Sequence, residues 1–314
     1  MPPRRRILLS TARPARLAAA AGAGPGYGRS DWPDWRRIDW RSHLRAVTVA
    51  GRRVHLVDVG GEGAPVLFVH GLGGRWQSWI ETLPHVAAAR RAVAFDLPGF
   101  GRSQLPIEPI SIDGYAAVIE RLCDLLELES IVLVGNSMGG AVATSAALRF
   151  PGLVERLVLV SPAAISLHGF NPAPAAAVMA ALGRTPLGSP EGVRSLLRRP
   201  RARYLAFATL VRHPTRIETD TLTELVGGRG APGLGAAIEA MIRCELGGEL
   251  ASITQPALIV HGREDMLVPL SMSAWLRDQI PGARLEVFED TGHLPMIERP
   301  ARFNELLLDF AAAA

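Results

Sequence analysis

The segment that decides the fold is Ile131-Val-Leu-Val-Gly135-Asn136-Ser137-Met138-Gly139-Gly140. Its apolar start is typical of a strand buried on both faces, and the Ala-rich stretch that follows, 141–150, is typical of a helix. Between them lies the pattern Gly-x-Ser-x-Gly, which places a serine on a sharp strand-to-helix turn. Side chains two residues before and after that serine would collide with neighbouring backbone, and glycine removes both collisions. The segment therefore predicts that Ser137 projects above the edge of a sheet, at the start of a helix.

Outward from this segment, short apolar runs alternate with helical patterns. We expect strands at 45–50, 54–59, 65–70, 92–95, 131–134, 157–160, 257–260 and 285–288, and helices at 115–128, 141–150 and 302–313. The first two strands flank Gly51 and are expected to form a hairpin. Strands that alternate with helices imply an α/β fold with a mostly parallel, doubly wound sheet.

The length of 314 residues suits one such core that carries an insertion. Hydrophobic residues make up 48% and charged residues 20%, which is typical of a globular chain rather than a disordered one. The alternation breaks over 163–253, where prolines recur among helical patches and no strand run is evident. Because this stretch is too long for a simple loop, it is expected to be a helical cap over one end of the sheet. The core is then formed by 43–162 and 254–314.

The first 42 residues are expected to be an Arg-rich, flexible leader. Residues 1–54 hold 12 arginines against three acidic residues, whereas the whole chain has a net charge of only +4. This charge allows weak contact with an anionic membrane surface, and Trp32, Trp35 and Trp40 could lie at such an interface. The favoured alternative is that these tryptophans pack back onto the core. Nucleic acid is not expected as a partner, since a basic patch alone is weak support for it.

The sequence favours a cytoplasmic location. No apolar run reaches the roughly 18 residues of a membrane-spanning helix. The apolar stretch at 17–24 follows interrupting arginines and is a poor match to a signal peptide. Cys123 and Cys244 make neither a disulfide framework nor a metal cluster, so no metal or cofactor is expected. Nothing in the pattern specifies an oligomeric state.

A serine hydroxyl needs a base to become a nucleophile, and the base needs an acid to orient it. His293 is the predicted base, because it lies in a loop between the last strand and the last helix, at the carboxyl edge of the sheet. Asp265 follows the strand at 257–260 in a turn and is the predicted acid, with the adjacent Glu264 as the alternative. His261 ends that strand and is interpreted as structural.

Two backbone N–H groups are predicted to stabilise an oxyanion beside the serine. The N–H of Met138 lies at the start of the helix after Ser137, where the helix dipole favours negative charge. The loop His70-Gly71-Leu72-Gly73-Gly74 follows the strand at 65–70, and the N–H of Leu72 is the second predicted donor. His70 itself is interpreted as a histidine that orders this loop.

Five motifs together resemble the α/β-hydrolase fold family over residues 44–313. They are HGLGG (70–74), DLPGFGRS (96–103), GNSMGG (135–140), GREDMLVP (262–269) and TGHLPMIERP (291–300). The resemblance is to the branch with a serine nucleophile, and the family's chain order of serine, acid and histidine fits Ser137, Asp265 and His293. It implies a serine hydrolase that forms an acyl-enzyme on a carboxylic ester. Asp96 is expected to be a structural residue near the site.

The resemblance leaves several chemistries open. The GNSMGG segment is similar to esterases and lipases and also to meta-cleavage C–C bond hydrolases, which usually have Trp after the catalytic histidine, where this chain has Leu294. A perhydrolase, thioesterase or acyltransferase could use the same three residues, and a receptor-like member would bind a ligand with little turnover. The Ala-, Leu- and Met-rich stretch at 172–187 is typical of a pocket for a small or medium apolar ester and equally of an ordinary packed helical core.

Overall fold

The structure is a computed structural model that describes residues 26–30, 34–61, 63–163, 190–226 and 231–313. These residues form an eight-stranded sheet in the order β1-β2-β4-β3-β5-β6-β7-β8. The strands are β1 Leu44–Val49, β2 Arg52–Val59, β3 Val66–Val69, β4 Ala92–Phe95, β5 Ile131–Asn136, β6 Val154–Val160, β7 Ala257–Gly262 and β8 Arg284–Phe288. β2 is antiparallel to both β1 and β4, and every other pair is parallel. The predicted fold class, an α/β-hydrolase fold with a mostly parallel sheet, is confirmed.

The α-helices of the described residues lie around this sheet and within the predicted cap interval. They are α1 Trp40–His43, α2 Leu83–Ala87, α3 Ile112–Leu125, α4 Met138–Arg149, α5 Pro190–Leu197, α6 Pro200–Phe207, α7 Thr219–Val226, α8 Leu234–Ile242, α9 Leu270–Gln279, α10 Pro295–Glu298 and α11 Pro300–Ala312. No described helix is both long and apolar enough to cross a membrane.

Alternate residues of each central strand enter two separate hydrophobic clusters, one on each face of the sheet. In β5, Ile131 and Leu133 pack in one cluster, and Val132 and Val134 pack in the other. Such alternation follows from the two-residue period of a strand. It explains why the sequence shows a continuous apolar run rather than a polar–apolar alternation.

Strand order creates a switch point beside β5. The chain leaves β3 towards β4 on one side and then passes to β5 and β6 on the other side. Such a switch point is where a ligand crevice is expected, at the carboxyl ends of β3 and β5. Ser137 follows β5 at this crevice.

Helix starts differ from the predicted ones because of capping. α3 begins three residues earlier than the apolar periodicity indicated, since the Ser111 side chain accepts a hydrogen bond from Gly114 N–H at 2.9 Å. α4 begins directly after Ser137 rather than at Ala141.

The β1–β2 hairpin turns on Ala50 and Gly51, both at positive φ, as a two-residue turn of this hand requires.

The predicted leader is packed against the rest of the protein over part of its length. Tyr27 and Trp35 are buried, and Trp40 packs against the same cluster. The prediction of a flexible leader to residue 42 is therefore at odds with residues 26–30 and 34–42, whose side chains find apolar and hydrogen-bonding partners. Of the three leader tryptophans, Trp35 and Trp40 follow the packed alternative, and Trp32 lies outside the described residues.

The predicted cap interval, 163–253, contains α5 to α8 and no strand among its described residues. The apolar stretch at 172–187, which supported an apolar substrate, lies outside the described residues. The exact cap boundaries stay a prediction.

We expect Gly135→Ala to lower the free energy of unfolding by about 1–3 kcal/mol or more, because a rigid backbone contact is overpacked. A Cβ at Gly135 would lie 2.1 Å from the carbonyl oxygen of Gly139. Chemical denaturation of both variants measures the effect, with Gly152→Ala as the control, since its Cβ meets nothing within 4 Å. Equal stability of the two variants would contradict this account of the turn.

Candidate active site

Ser137 occupies a strained turn between β5 and α4. Its φ of 53° and ψ of −119° lie outside the regions that side chains favour. Its N–H donates to Val160 O at 3.0 Å, and its carbonyl accepts from Gly140 N–H at 2.8 Å and Ala163 N–H at 3.1 Å. These bonds to the next strand and the following helix hold the strained conformation. The side chain is partly exposed while its chain neighbours are buried, as expected for a reactive hydroxyl at a crevice.

Glycines make this turn sterically possible. A Cβ on Gly135 would lie 2.1 Å from Gly139 O, and a Cβ on Gly139 would lie 2.4 Å from Val69 O. Both distances are far shorter than any real contact. A side chain at either position would therefore collide with the backbone, as expected from the sequence. The first turn of α4 consequently packs backbone against backbone on β3 and β5.

His293 and Asp265 form a buried pair. His293 Nδ1 lies 2.7 Å from Asp265 Oδ2, and both side chains are almost fully buried. Asp265 Oδ1 accepts N–H bonds from Leu267 at 2.8 Å and Val268 at 2.9 Å. With Asp265 ionised, Nδ1–H of His293 is the donor, and in the neutral imidazole Nε2 is the nitrogen that carries the free lone pair.

The carboxylate of Asp265 stays ionised despite its burial. Burial opposes ionisation, but the charge and the hydrogen bond of His293 outweigh it and hold the pKa of Asp265 below its ordinary value. Glu264, the alternative acid, instead accepts a bond from Thr291 N–H at 2.9 Å. The structure thus brings Asp265, rather than Glu264, to the histidine.

The loop that carries His293 packs closely on the end of β7. A Cβ on Gly262 would lie 2.0 Å from the carbonyl oxygen of Gly292. The N–H of His293 donates to Leu210 O at 3.0 Å, which ties the loop to the chain after α6. These contacts fix the histidine at the carboxyl edge of the sheet.

His261, interpreted from the sequence as structural, is held on both ring nitrogens. Its Nε2 lies 3.1 Å from Val268 O, and its Nδ1 lies 2.7 Å from Ser273 Oγ. Burial lowers its pKa, so it is neutral at physiological pH and donates from Nε2. It supports the turn that carries Asp265.

The loop after β3 passes directly beside Ser137. A Cβ on Gly71 would lie 3.0 Å from the Cβ of Ser137, and Gly74 N–H closes the loop on Gly71 O at 3.0 Å. Among the described residues, no acceptor is found for the N–H of Leu72 or of Met138. Their role as oxyanion donors stays a prediction.

His70 orders this loop, in agreement with its sequence interpretation. Its Nδ1 lies 2.7 Å from Gly71 O, and its Nε2 accepts from Leu97 N–H at 3.0 Å. Asp96 is likewise structural, because its carboxylate accepts N–H bonds from Trp76 and Arg102, each at 2.9 Å.

One buried carboxylate beside the histidine was missed in the sequence. Glu298 is fully buried and accepts bonds from the N–H groups of Gly292 and Leu294, on either side of His293. It stands in the motif TGHLPMIERP, but spacing alone gave no reason to bring its side chain back to the loop. Within the described ranges, no group of three His, Cys, Asp or Glu side chains is arranged to hold a metal ion.

Comparisons with known proteins identify the family to which the chain belongs. The family model described as "Alpha/beta hydrolase family" matches residues 66–306. The chain is 33% identical over 287 residues to a 2-hydroxymuconate semialdehyde hydrolase of Pseudomonas sp. (strain CF600), with 86% of this chain and 94% of that protein covered. It is also 33% identical to a 2-hydroxy-6-oxo-2,4-heptadienoate hydrolase of Pseudomonas putida F1, with 86% and 96% covered.

Solved structures of other proteins also superimpose on this chain. A meta-cleavage product hydrolase of Pseudomonas fluorescens IP01 superimposes with a TM-score of 0.69 at 28% identity, over 85% of this chain and 97% of that chain. An esterase of Thermogutta terrifontis gives a TM-score of 0.69 at 24% identity, over 85% and 98%, and supports the fold alone.

We expect Asp265→Asn to lower hydrolytic turnover by about 10⁴-fold, because the amide holds the wrong tautomer of His293. Glu264→Gln is the matched control and is expected to lose far less. Steady-state kinetics on a substrate that the wild type turns over measures both. A larger loss in the Glu264 variant would reverse the assignment of the acid.

Proposed function

Because the chain belongs to the alpha/beta hydrolase family, we propose that it hydrolyses a carboxylic ester of a small or medium apolar substrate, with Ser137 as nucleophile. The observation that carries this proposal is the buried His293–Asp265 pair, 2.7 Å apart, at the same sheet edge as the strained serine. The enzyme class, a hydrolase, follows from the family. The ester and the roles of the residues are the proposal.

The first step forms an acyl-enzyme. Ser137 Oγ attacks the carbonyl carbon of the ester while His293 Nε2 takes its proton. Asp265 holds the tautomer and stabilises the imidazolium that forms, without itself taking the proton. The oxyanion of the tetrahedral intermediate is bound by the N–H groups of Leu72 and Met138. Loss of one such donor typically costs about 2.7–4 kcal/mol of transition-state stabilisation.

Collapse of the tetrahedral intermediate completes the acyl-enzyme, and water then regenerates the serine. The imidazolium of His293 gives its proton to the leaving alcohol, so the ester C–O bond breaks and the acyl group stays on Ser137. Water attacks the acyl carbon while His293 takes its proton, and the imidazolium returns that proton to Ser137 Oγ as the acyl–serine bond breaks and the carboxylic acid leaves. This sequence needs no cofactor or metal.

Hydrolysis of a C–C bond is the second candidate function. The relatives at 33% identity are named as hydrolases of 2-hydroxymuconate semialdehyde and of 2-hydroxy-6-oxo-2,4-heptadienoate. Such a reaction must protonate a carbon leaving group rather than an alcohol. Leu294, a buried and apolar side chain, follows His293 where meta-cleavage hydrolases usually have Trp. This difference favours the ester.

A fluorophosphonate probe tests the nucleophile. We expect the wild type to be labelled covalently and Ser137→Ala to remain unlabelled, since the probe reacts only with an activated serine. Ser103→Ala is the control and is expected to keep labelling. Intact-mass measurement detects the adduct, and labelling that survives in the Ser137 variant would remove the serine from its proposed role.

Graded p-nitrophenyl esters, together with 2-hydroxy-6-oxo-2,4-heptadienoate, separate the two reactions. We expect higher kcat/KM on the esters, rising with acyl length until the acyl chain exceeds the space at the site. Absorbance measurements follow both reactions. Turnover of the dienoate with no ester hydrolysis would replace the ester proposal by the C–C candidate.

A further inference from the structure

Glu298 lies at the end of α10 as a carboxylate with four hydrogen-bond donors and no exposure to solvent. Its oxygens accept from the N–H of Gly292 at 2.9 Å, of Leu294 at 3.2 Å and of Arg212 at 2.7 Å. The fourth donor is the hydroxyl of Tyr27, at 2.6 Å. Burial of a charged carboxylate costs free energy of folding that burial of an apolar side chain would not. Its presence here is therefore not explained by stability or solubility.

The donors come from three separate parts of the chain. Gly292 and Leu294 flank the predicted base, Arg212 belongs to the predicted cap interval, and Tyr27 belongs to the segment before β1. The Tyr27 hydroxyl also accepts from His213 N–H at 2.9 Å. One carboxylate thus joins the histidine loop, the cap interval and the N-terminal segment.

Further contacts reinforce this junction. His213 Nε2 lies 2.7 Å from Asp290 Oδ1, at the start of the histidine loop. Arg299 lies over the ring of Tyr27, 4.8 Å from its centroid, and reaches Asp290 with its guanidinium. The N–H of Gly28 donates to the carbonyl oxygen of Glu298 at 2.8 Å. The N-terminal segment therefore contacts both the side chain and the backbone of this residue.

The arrangement constrains His293 from its backbone. The N–H groups of Gly292 and Leu294 donate to the same carboxylate, so the 291–292 and 293–294 peptide units are held together, while the unit between them donates its His293 N–H to Leu210 O. Asp265 then fixes the ring by its Nδ1. Catalytic groups need such support, since geometry must be held within about half an ångström of the productive arrangement.

We propose that Glu298 is a positioning residue for His293 and that Tyr27, from the N-terminal segment, holds Glu298 in place. The carboxylate orients the histidine loop, and the phenol links that loop to the cap interval through His213. The proposal rests on the proposed function, because it assigns His293 as the base. It gives the N-terminal segment a role in the active site rather than at a membrane.

The protonation of Glu298 supports this role. Burial raises the pKa of Glu298 to about 7, against the pull of its four hydrogen bonds. The charged and titratable groups that face it are Tyr27, Arg212, His213, Asp290, His293 and Arg299. As the pH falls through this range, the carboxylate gains a proton and becomes a weaker acceptor for the loop. The ionised form, which is the costly one for folding, is the one that positions His293.

The rate of fluorophosphonate labelling, measured from pH 6 to 8, tests the proposal. Glu298→Gln is nearly isosteric but offers an amide donor to N–H groups, so we expect acylation at pH 8 to slow by roughly 10- to 100-fold. Probe affinity should be unchanged, since no binding group is removed. The ratio of wild-type to variant rates should shrink towards pH 6, where the wild-type carboxylate is neutral.

Tyr27→Phe removes one oxygen atom and tests the link without a change of charge. We expect slower acylation than in the wild type, in the same direction as Glu298→Gln but smaller. Tyr115→Phe is the matched control, because it removes another buried hydroxyl, bonded to Pro98 O at 3.1 Å, and should react at the wild-type rate. Should Glu298→Gln fail to fold, the comparison of these two Tyr variants still decides the question.

Three outcomes overturn the proposal. The first is a wild-type rate in Glu298→Gln or in Tyr27→Phe. The second is a rate ratio that does not change with pH, which indicates that Glu298 only stabilises the fold. In both of these cases Ser137-dependent labelling persists in the wild type and the proposed function stands. The third is a wild type that is not labelled at Ser137, which removes the proposed function as well.

Discussion

Backbone segments approach one another without intervening side chains at two places, and the rest of the site is built on these contacts. At the first, α4 starts against β3 and β5, with Gly139 facing Val69 O and Gly135 facing Gly139 O. At the second, the end of β7 meets the histidine loop at Gly262 and Gly292. Carbonyl oxygens stand where a Cβ would be, so only glycine permits either contact. Because β3, β5 and β7 belong to one sheet, both contacts are anchored to the same framework.

The strands of the sheet could be predicted from the sequence because a buried strand appears there as a continuous apolar run. A strand covered on both faces is expected to be apolar along its length, as β3 and β4 are throughout and as β5 and β7 are over 131–135 and 257–260. Helix starts were less predictable, since α3 begins at a Ser cap and α4 at a strained serine rather than where apolar periodicity begins. Polar and glycine residues at a helix start do not contribute to that periodicity.

Some site residues could be predicted from their local sequence and others could not. Ser137, Asp265 and His293 stand directly after strands, in turns whose composition is visible locally, and the structure places them at one sheet edge. Glu298 and Tyr27 lie 271 residues apart, and nothing in either local pattern indicates that they meet. The choice between Glu264 and Asp265 also required the structure, because the two acids are adjacent in the sequence. It was decided by the N–H groups of Leu267 and Val268, which turn the Asp265 carboxylate inward.

The N-terminal segment before β1 is bonded to the rest of the protein. Ser30 and Trp35 both donate to Glu81, which also accepts from Thr221 in α7, so this segment is bonded to core and cap interval alike. A chain trimmed to begin at β1 would keep every strand, the serine, the acid and the histidine, and the whole span of the family match, 66–306. It would nevertheless leave the Glu298 carboxylate without the hydroxyl of Tyr27, and the Glu298 carbonyl without the N–H of Gly28. On the proposed role of Glu298, the smallest unit with the complete fold is smaller than the smallest unit with a fully positioned base.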